Sequence, residues 1–157
     1  MMRSVFKPRK FASAIAYMVQ QRTGLTMEQI CCLLFFADKR HLLSYGRTIT
    51  GVRYYALEHG PAPSHCIGNA EPKSPLDLKP LSKSDLKVLN EIVSTYADLP
   101  ARKLEQLTQE EPAWTQTPQD EQIDFDLFFA GHPEAGLVKS ILQEEYGWRD
   151  TLNVNHE

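Results

Sequence analysis

The 157-residue sequence holds only three cysteines, two of them adjacent at Cys31 and Cys32. An odd, clustered set is a poor disulfide framework, which fits a reducing compartment. Long apolar runs are missing as well. The longest, Ile30 to Ala37, falls far short of the roughly 20 residues that a membrane-spanning helix needs. The opening MMRSVFKPRKFASA has basic residues but no apolar core leading to a cleavage site, so no secretory signal is read and a cytoplasmic location is expected. There is no excess of positive charge: 17 Lys and Arg stand against 20 Asp and Glu, a net charge of −3. Without a whole-molecule positive field, nucleic acid is disfavoured as a partner, and the basic arm Arg3, Lys7, Arg9 and Lys10 reads as a solvated terminus. GxSxG, GxxxxGK[ST] and GxGxxG are absent, which removes the mechanical parts of a nucleophile elbow and of a phosphate cradle.

What is present is the composition of a folded chain, 42% apolar and 24% charged, of a size that suits one domain over residues 1–150. The polar tail from Thr151 to Glu157 is expected to fray. Helical spacing places Phe11, Ile15, Met18 and Val19 on one face of a first helix between Lys10 and Arg22. Thr26 followed by Gln29 forms a capping box that opens a second helix, with Leu25 and Ile30 as its hydrophobic staple. Ile30, Leu33, Leu34, Ala37 and His41 line one face of that helix, Glu28, Asp38, Lys39 and Arg40 supply polar positions, and Gly46 ends it. Thr48 to Glu58 is rich in β-branched and aromatic residues, which predicts a short hairpin turning at Thr50-Gly51. Gly60-Pro61-Ala62-Pro63 is expected to forbid regular structure, and Cys66 to Lys79 to form a loop. Ser82 and Asp85 repeat the capping box for a third helix to about Ala97, and Pro100 opens a shorter one carrying Leu104 and Leu107. Pro112 then leaves Trp114 on a connector. Ile123 and Phe125 suggest a brief strand, Asp124 or Asp126 caps a short helical piece, and a last helix follows His132. The expected fold is α+β and mainly α: a bundle of five or six helices with a small antiparallel hairpin.

The polar residues lack the spacing of a reactive constellation. His41, His59, His65 and Cys66 lack the CxxC or HxxxH spacing of a zinc site, and Cys66 has no orienting base beside it, so no catalytic residue, metal or cofactor is assigned. The vicinal cysteines read as small core residues, and Glu110-Glu111 and Glu144-Glu145 as solvated surface. Tyr54 and Tyr55 alternate across a strand, so one faces the core and the other is available as an interface anchor. With His59 and His65 they are the candidate partner-binding residues.

The stretch LLFFADKRHLLSYGRTITGVRYYALEHGPAPS resembles the signature of the Panacea domain family, which includes SocA-like and phage-associated GepA-like proteins. The matching positions include Leu33, Leu34, Phe36, Ala37, Asp38, His41, Leu42, Tyr45, Gly46, Ile49, Thr50, Gly51, Tyr54, Gly60, Pro61 and Pro63. KLEQLTQEEPAW resembles a second landmark, with Leu104, Leu107, Thr108, Glu111, Pro112 and Trp114 in step. Thr48, Ala62 and Gln109 stand where the family often has proline, valine and histidine. The resemblance implies a mostly helical antitoxin-type domain, often carried on prophages and mobile elements, that neutralises a cognate toxin by protein–protein contact. Occlusion of the toxin and its delivery to a cellular protease are both open, as is a homo-oligomer. The alternatives are a DNA-binding regulator of its own operon, or a small hydrolase using Asp38, His41 and His59. Asp38 and His41 lie three apart on one helix face, and their expected role is to hold the glycine-proline corner in place.

Overall fold

The computed structural model describes residues 5–65 and 77–130. Arg3, Cys66, residues 67–76 of the expected loop, Glu144-Glu145, the helix expected after His132 and the tail from Thr151 lie outside the described residues. The described chain runs α1 (Pro8–Gln21), α2 (Met27–Tyr45), β1 (Tyr54–Leu57), β2 (Gly60–Pro63), α3 (Lys83–Tyr96), α4 (Ala101–Gln109), α5 (Pro112–Thr115) and a 3-10 helix (Phe125–Phe129). The architecture is α+β and mainly α, with one two-stranded antiparallel sheet among the described residues.

Local chemistry sets the helix limits. Pro8 occupies the first turn of α1, where its missing N–H leaves nothing unpaired. Both capping boxes form. Gln29 N–H donates to Thr26 Oγ1 at 3.1 Å while Thr26 N–H donates to Gln29 Oε1 at 2.8 Å. Ser82 and Asp85 make the same exchange at the start of α3, at 3.1 and 2.8 Å.

α2 is the central post. It packs on α1, α3, α4, β2 and the 3-10 helix, and its run Leu33, Leu34, Phe35, Phe36, Ala37 is buried all round, as expected of a helix enclosed by others. The Phe35 ring meets Tyr54 and Phe128 edge-on at 5.5 and 5.4 Å. Asp38 and Lys39, which supply polar positions of this helix, are both buried. Each has a tertiary partner: Asp38 takes hydrogen bonds from the chain after α2, and Lys39 forms a largely buried ion pair with Glu111.

The hairpin differs from the expected one in where it turns. Its register is Tyr54↔Pro63, Tyr55↔Ala62, Ala56↔Pro61 and Leu57↔Gly60, so the turn falls at Glu58-His59 and Gly60–Pro63 is itself a strand. The prolines are tolerated for a geometric reason. Tyr54 and Ala56, the residues opposite them, direct their backbone groups the other way, toward residues 120–123: Ile123 N–H to Tyr54 C=O at 2.8 Å, Ala56 N–H to Glu121 C=O at 2.9 Å, and Asp120 N–H to Ala56 C=O at 2.8 Å. Pro61 and Pro63 therefore occupy non-hydrogen-bonded positions of the ladder, where no donor is needed. The strand expected at Ile123 is reduced to a single bridge, Tyr55↔Gln122, and Asp124 caps the 3-10 helix that follows. Trp114, expected on a connector, sits in the one-turn helix α5.

Gly51 serves a close crossing instead of a hairpin turn. Its φ is +72°, and a Cβ there would lie 1.9 Å from the carbonyl oxygen of Val5. The N-terminal segment passes directly over it, fixed by Lys7 N–H donating to Thr50 C=O at 2.8 Å.

Candidate functional site

The corner between α2 and the hairpin is organised by Asp38, which has no exposed surface. One carboxylate oxygen accepts the backbone N–H groups of Ile49 and Thr50 at 2.8 and 3.0 Å. The other accepts the Thr50 hydroxyl at 2.8 Å and the Tyr54 hydroxyl at 2.7 Å. A short acid on a rigid helix thus gathers a loop and a strand into one hydrogen-bonded knot. Burial pushes this carboxyl above the ordinary range, while its donors pull the other way; burial and the adjacent carboxylate hold the Tyr54 hydroxyl well above a free tyrosine.

One turn on, His41 belongs to a second network. Its Nδ1 lies 2.7 Å from the Arg47 carbonyl, which only accepts, so the neutral ring carries its proton on Nδ1. Nε2 then accepts from the Ser84 hydroxyl at 2.9 Å and stands 3.2 Å from Asp85 Oδ1. Burial lowers the imidazole to about 4, and the nearby Arg47 and Lys10 charges also oppose protonation, against the pull of Asp85 and the Arg47 carbonyl. Asp85 itself is fully buried. Burial alone would raise it, but the Lys10 hydrogen bond at 2.9 Å, the Ser82 N–H at 2.8 Å and the positive charges of Arg47 and Lys10 win, so it sits low. Arg47 Nη1 is 3.1 Å from Asp85 Oδ1, yet that oxygen has no aligned hydrogen bond, so this contact is read as charge attraction only. Arg47 also donates to Thr48 C=O at 3.0 Å and Ser82 Oγ at 3.2 Å, tying the corner to the start of α3.

α4 and α5 grip the hairpin tip. Gln109 Nε2 donates to His59 C=O at 3.0 Å, and Trp114 Nε1 donates to Leu57 C=O at 2.8 Å. Gly60, at φ +138°, abuts the buried Thr108, whose hydroxyl oxygen lies 2.8 Å from where a Cβ would stand. Sequence landmarks some fifty residues apart therefore meet at one turn.

The expected partner-binding residues divide. Tyr54 is fully buried with its hydroxyl on Asp38, so it offers no surface to a partner: of the tyrosine pair it is the core member. Tyr55 is half-buried on the opposite face of β1. His59 is exposed at the hairpin tip, and exposed His65 lies past the other end of β2, stacked on Phe6 at 3.8 Å. Among the structural landmarks, Tyr45 ends α2 half-exposed with its ring 4.7 Å from that of His41, Gly46 is the left-handed residue that follows, and Pro61 and Pro63 stiffen β2. Asp38, His41 and His59 do not converge: the first two serve separate buried networks and the third is at the tip. Burial raises Cys31 to about 11 and Cys32 to about 12. No group of three or more His, Cys, Asp or Glu among the described residues is placed to hold a metal ion, and none of the described helices is long and apolar enough to cross a membrane.

Sequence reasoning missed the Lys10–Asp85–Arg47 cluster, the Lys39–Glu111 pair and the Gln109 contact. Each joins residues distant in sequence, and no local pattern announces them. The position of Arg53, two before Tyr55 and so on the same strand face, was a signal available from alternation alone.

Helices α2, α4 and α5 thus hold the hairpin at its base and at its tip, through Asp38, Gln109 and Trp114. Residues 32–115, more than half of the chain, match the model of the antitoxin SocA-like, Panacea domain, and the chain belongs to that family. The matched segment runs from within α2 to the end of α5 and includes both landmarks. Membership supports an antitoxin-type role in general, with a toxin as partner. No curated protein and no solved structure matched the chain.

Proposed function

We propose that this protein is a cytoplasmic antitoxin that neutralises a cognate protein toxin by direct contact, using the hairpin and the segment after it as its docking face. The observation that carries the reading is how the landmark residues are used: Asp38, His41, Gln109 and Trp114 bond to backbone or buried groups of the corner and hairpin, and Thr108, its hydroxyl donated to Glu105 C=O, packs against Gly60. Their chemistry is thereby occupied with holding shape, and a rigid, half-exposed strand face beside an exposed turn is what remains for a partner. A fixed face loses little conformational entropy on binding, which favours tight association from a modest area.

The reading is non-enzymatic. A hydrolase built on Asp38, His41 and His59 would need the three to meet, and the helix and the turn keep them in different surroundings. The test is co-expression with the product of the neighbouring reading frame. Rescue of growth from that product's toxicity is expected, and failure to rescue overturns the proposal. Following the toxin's abundance separates the two routes: a toxin that persists while cells grow is occluded, and one whose half-life falls is delivered to a protease.

A further inference from the structure

Beside β1 lies a groove of about 440 Å³ lined by Phe6, Gly51, Arg53, Tyr55, Ser64 and His65. It falls at the lower end of the roughly 300–1,000 Å³ typical of ligand pockets, suited to one or two side chains. Its polar groups share one character. Arg53 is exposed and forms no ion pair among the described residues; Tyr55, two residues on and on the same strand face, has a hydroxyl with no hydrogen-bond partner among them. His65 is held by its stack on Phe6 and by Ser64, whose Oγ lies 3.1 Å from Nδ1, and its Nε2 has no hydrogen-bond partner among the described residues. No carboxylate of the described residues belongs to the lining, so among them a guanidinium, a phenol and an imidazole border one space with no anionic group to receive them.

We propose that this groove receives an acidic side chain, Asp or Glu, from the protein partner. The proposal rests on the docking reading above and deepens it by naming the chemistry recognised. A guanidinium favours a planar two-oxygen acceptor, and the Tyr55 and His65 rings supply walls for the methylene groups that carry it. A polyphosphate strand suits the site less well. The net charge of −3 repels an extended polyanion at long range, whereas one carboxylate on a folded partner feels chiefly the local Arg53 and His65.

The test uses the full chain. In NMR titration with a hexaglutamate peptide, the Arg53 side-chain Nε–H, the Tyr55 ring and the His65 ring are expected to shift together. Arg53→Gln should weaken the apparent affinity about tenfold or more, the loss expected for one charge-assisted hydrogen bond, with Arg53→Lys recovering part of it. Hexaglutamine, inorganic phosphate and a DNA duplex are the controls. Equal shifts from hexaglutamine, no shift from hexaglutamate, or tighter binding by phosphate or DNA each overturns the proposal, the DNA result in favour of a nucleic-acid site. In cells, Arg53→Glu should lose rescue while its melting temperature stays at the wild-type value. If the wild type rescues and Arg53→Glu rescues equally, the acidic-partner proposal falls and the antitoxin reading stands. If the wild type itself fails to rescue, the antitoxin reading falls, and the peptide titration alone decides the groove.

Discussion

Replacing Asp38 with alanine should come close to unfolding the protein. The carboxylate accepts four hydrogen bonds, from the Ile49 and Thr50 amides and the Thr50 and Tyr54 hydroxyls, all at 2.7–3.0 Å and all buried. A buried donor left without an acceptor costs about 1–3 kcal/mol, so the four together represent about 4–12 kcal/mol if none finds a new partner. That compares with about 5–15 kcal/mol for the total stability of an ordinary domain. Asp38→Asn is graded differently: its amide oxygen still accepts the two backbone N–H groups, and the hydroxyls must turn to accept from its NH2, which should cost about 1–3 kcal/mol. Tyr54→Phe removes a single hydroxyl at a cost of about 1 kcal/mol. Urea unfolding followed by far-UV circular dichroism measures all three, and the order should be Asp38→Ala, then Asp38→Asn, then Tyr54→Phe. An Asp38→Ala variant that loses less than about 1 kcal/mol would refute the claim that this knot fixes the corner.

His41 should make stability depend on pH. Its folded value of about 4 lies below the ordinary 6.5, so the folded state refuses a proton that the unfolded chain accepts. Its contribution is complete above 6.5, falls as pH drops through that value, and levels off near 4, a loss of about 3 kcal/mol. Asp38, raised by burial, acts with the opposite sign, gaining stability as pH falls. The comparison is therefore wild type against His41→Gln in unfolding series at several pH values, and the slope between pH 6.5 and 4 should flatten in the variant. Gly51→Ala places a Cβ 1.9 Å from the Val5 carbonyl at a φ of +72°, so it should displace the N-terminal segment and speed hydrogen exchange at the Lys7 amide. Trp114→Phe loses the 2.8 Å bond to Leu57 C=O and should cost about 1 kcal/mol, with faster exchange confined to the hairpin tip.

Where a feature is decided within one helical turn, the sequence made it legible. Thr26 with Gln29 and Ser82 with Asp85 predicted helix starts that the hydrogen bonds confirm, because a capping box needs only residues three apart. The features that went unread depend on contacts distant in sequence. Gly51 looks like a turn glycine among β-branched neighbours, but it is glycine because Val5 passes over it. Gly-Pro-Ala-Pro looks like a breaker, yet β1 directs the backbone groups of Tyr54 and Ala56 to residues 120–123, leaving the prolines nothing to donate to. The spacing of Asp38 to His41 points it at the corner, but its particular donors, eleven to sixteen positions further on, are not readable from the helix alone. Of the candidate site, the corner was legible through its glycines, prolines and the Asp38–His41 spacing. Which tyrosine faced outward was not, because alternation gives two faces without saying which is buried.

The central claim is that the hairpin is a rigid docking face and performs no chemistry. It is tested most directly by isothermal titration calorimetry of the neighbouring frame's product against the wild-type protein and a Tyr55→Ala/His59→Ala variant. The account predicts one saturable binding event for the wild type, weakened in the variant by about tenfold or more, with the variant's melting temperature unchanged. Equal affinity for the two proteins would contradict it.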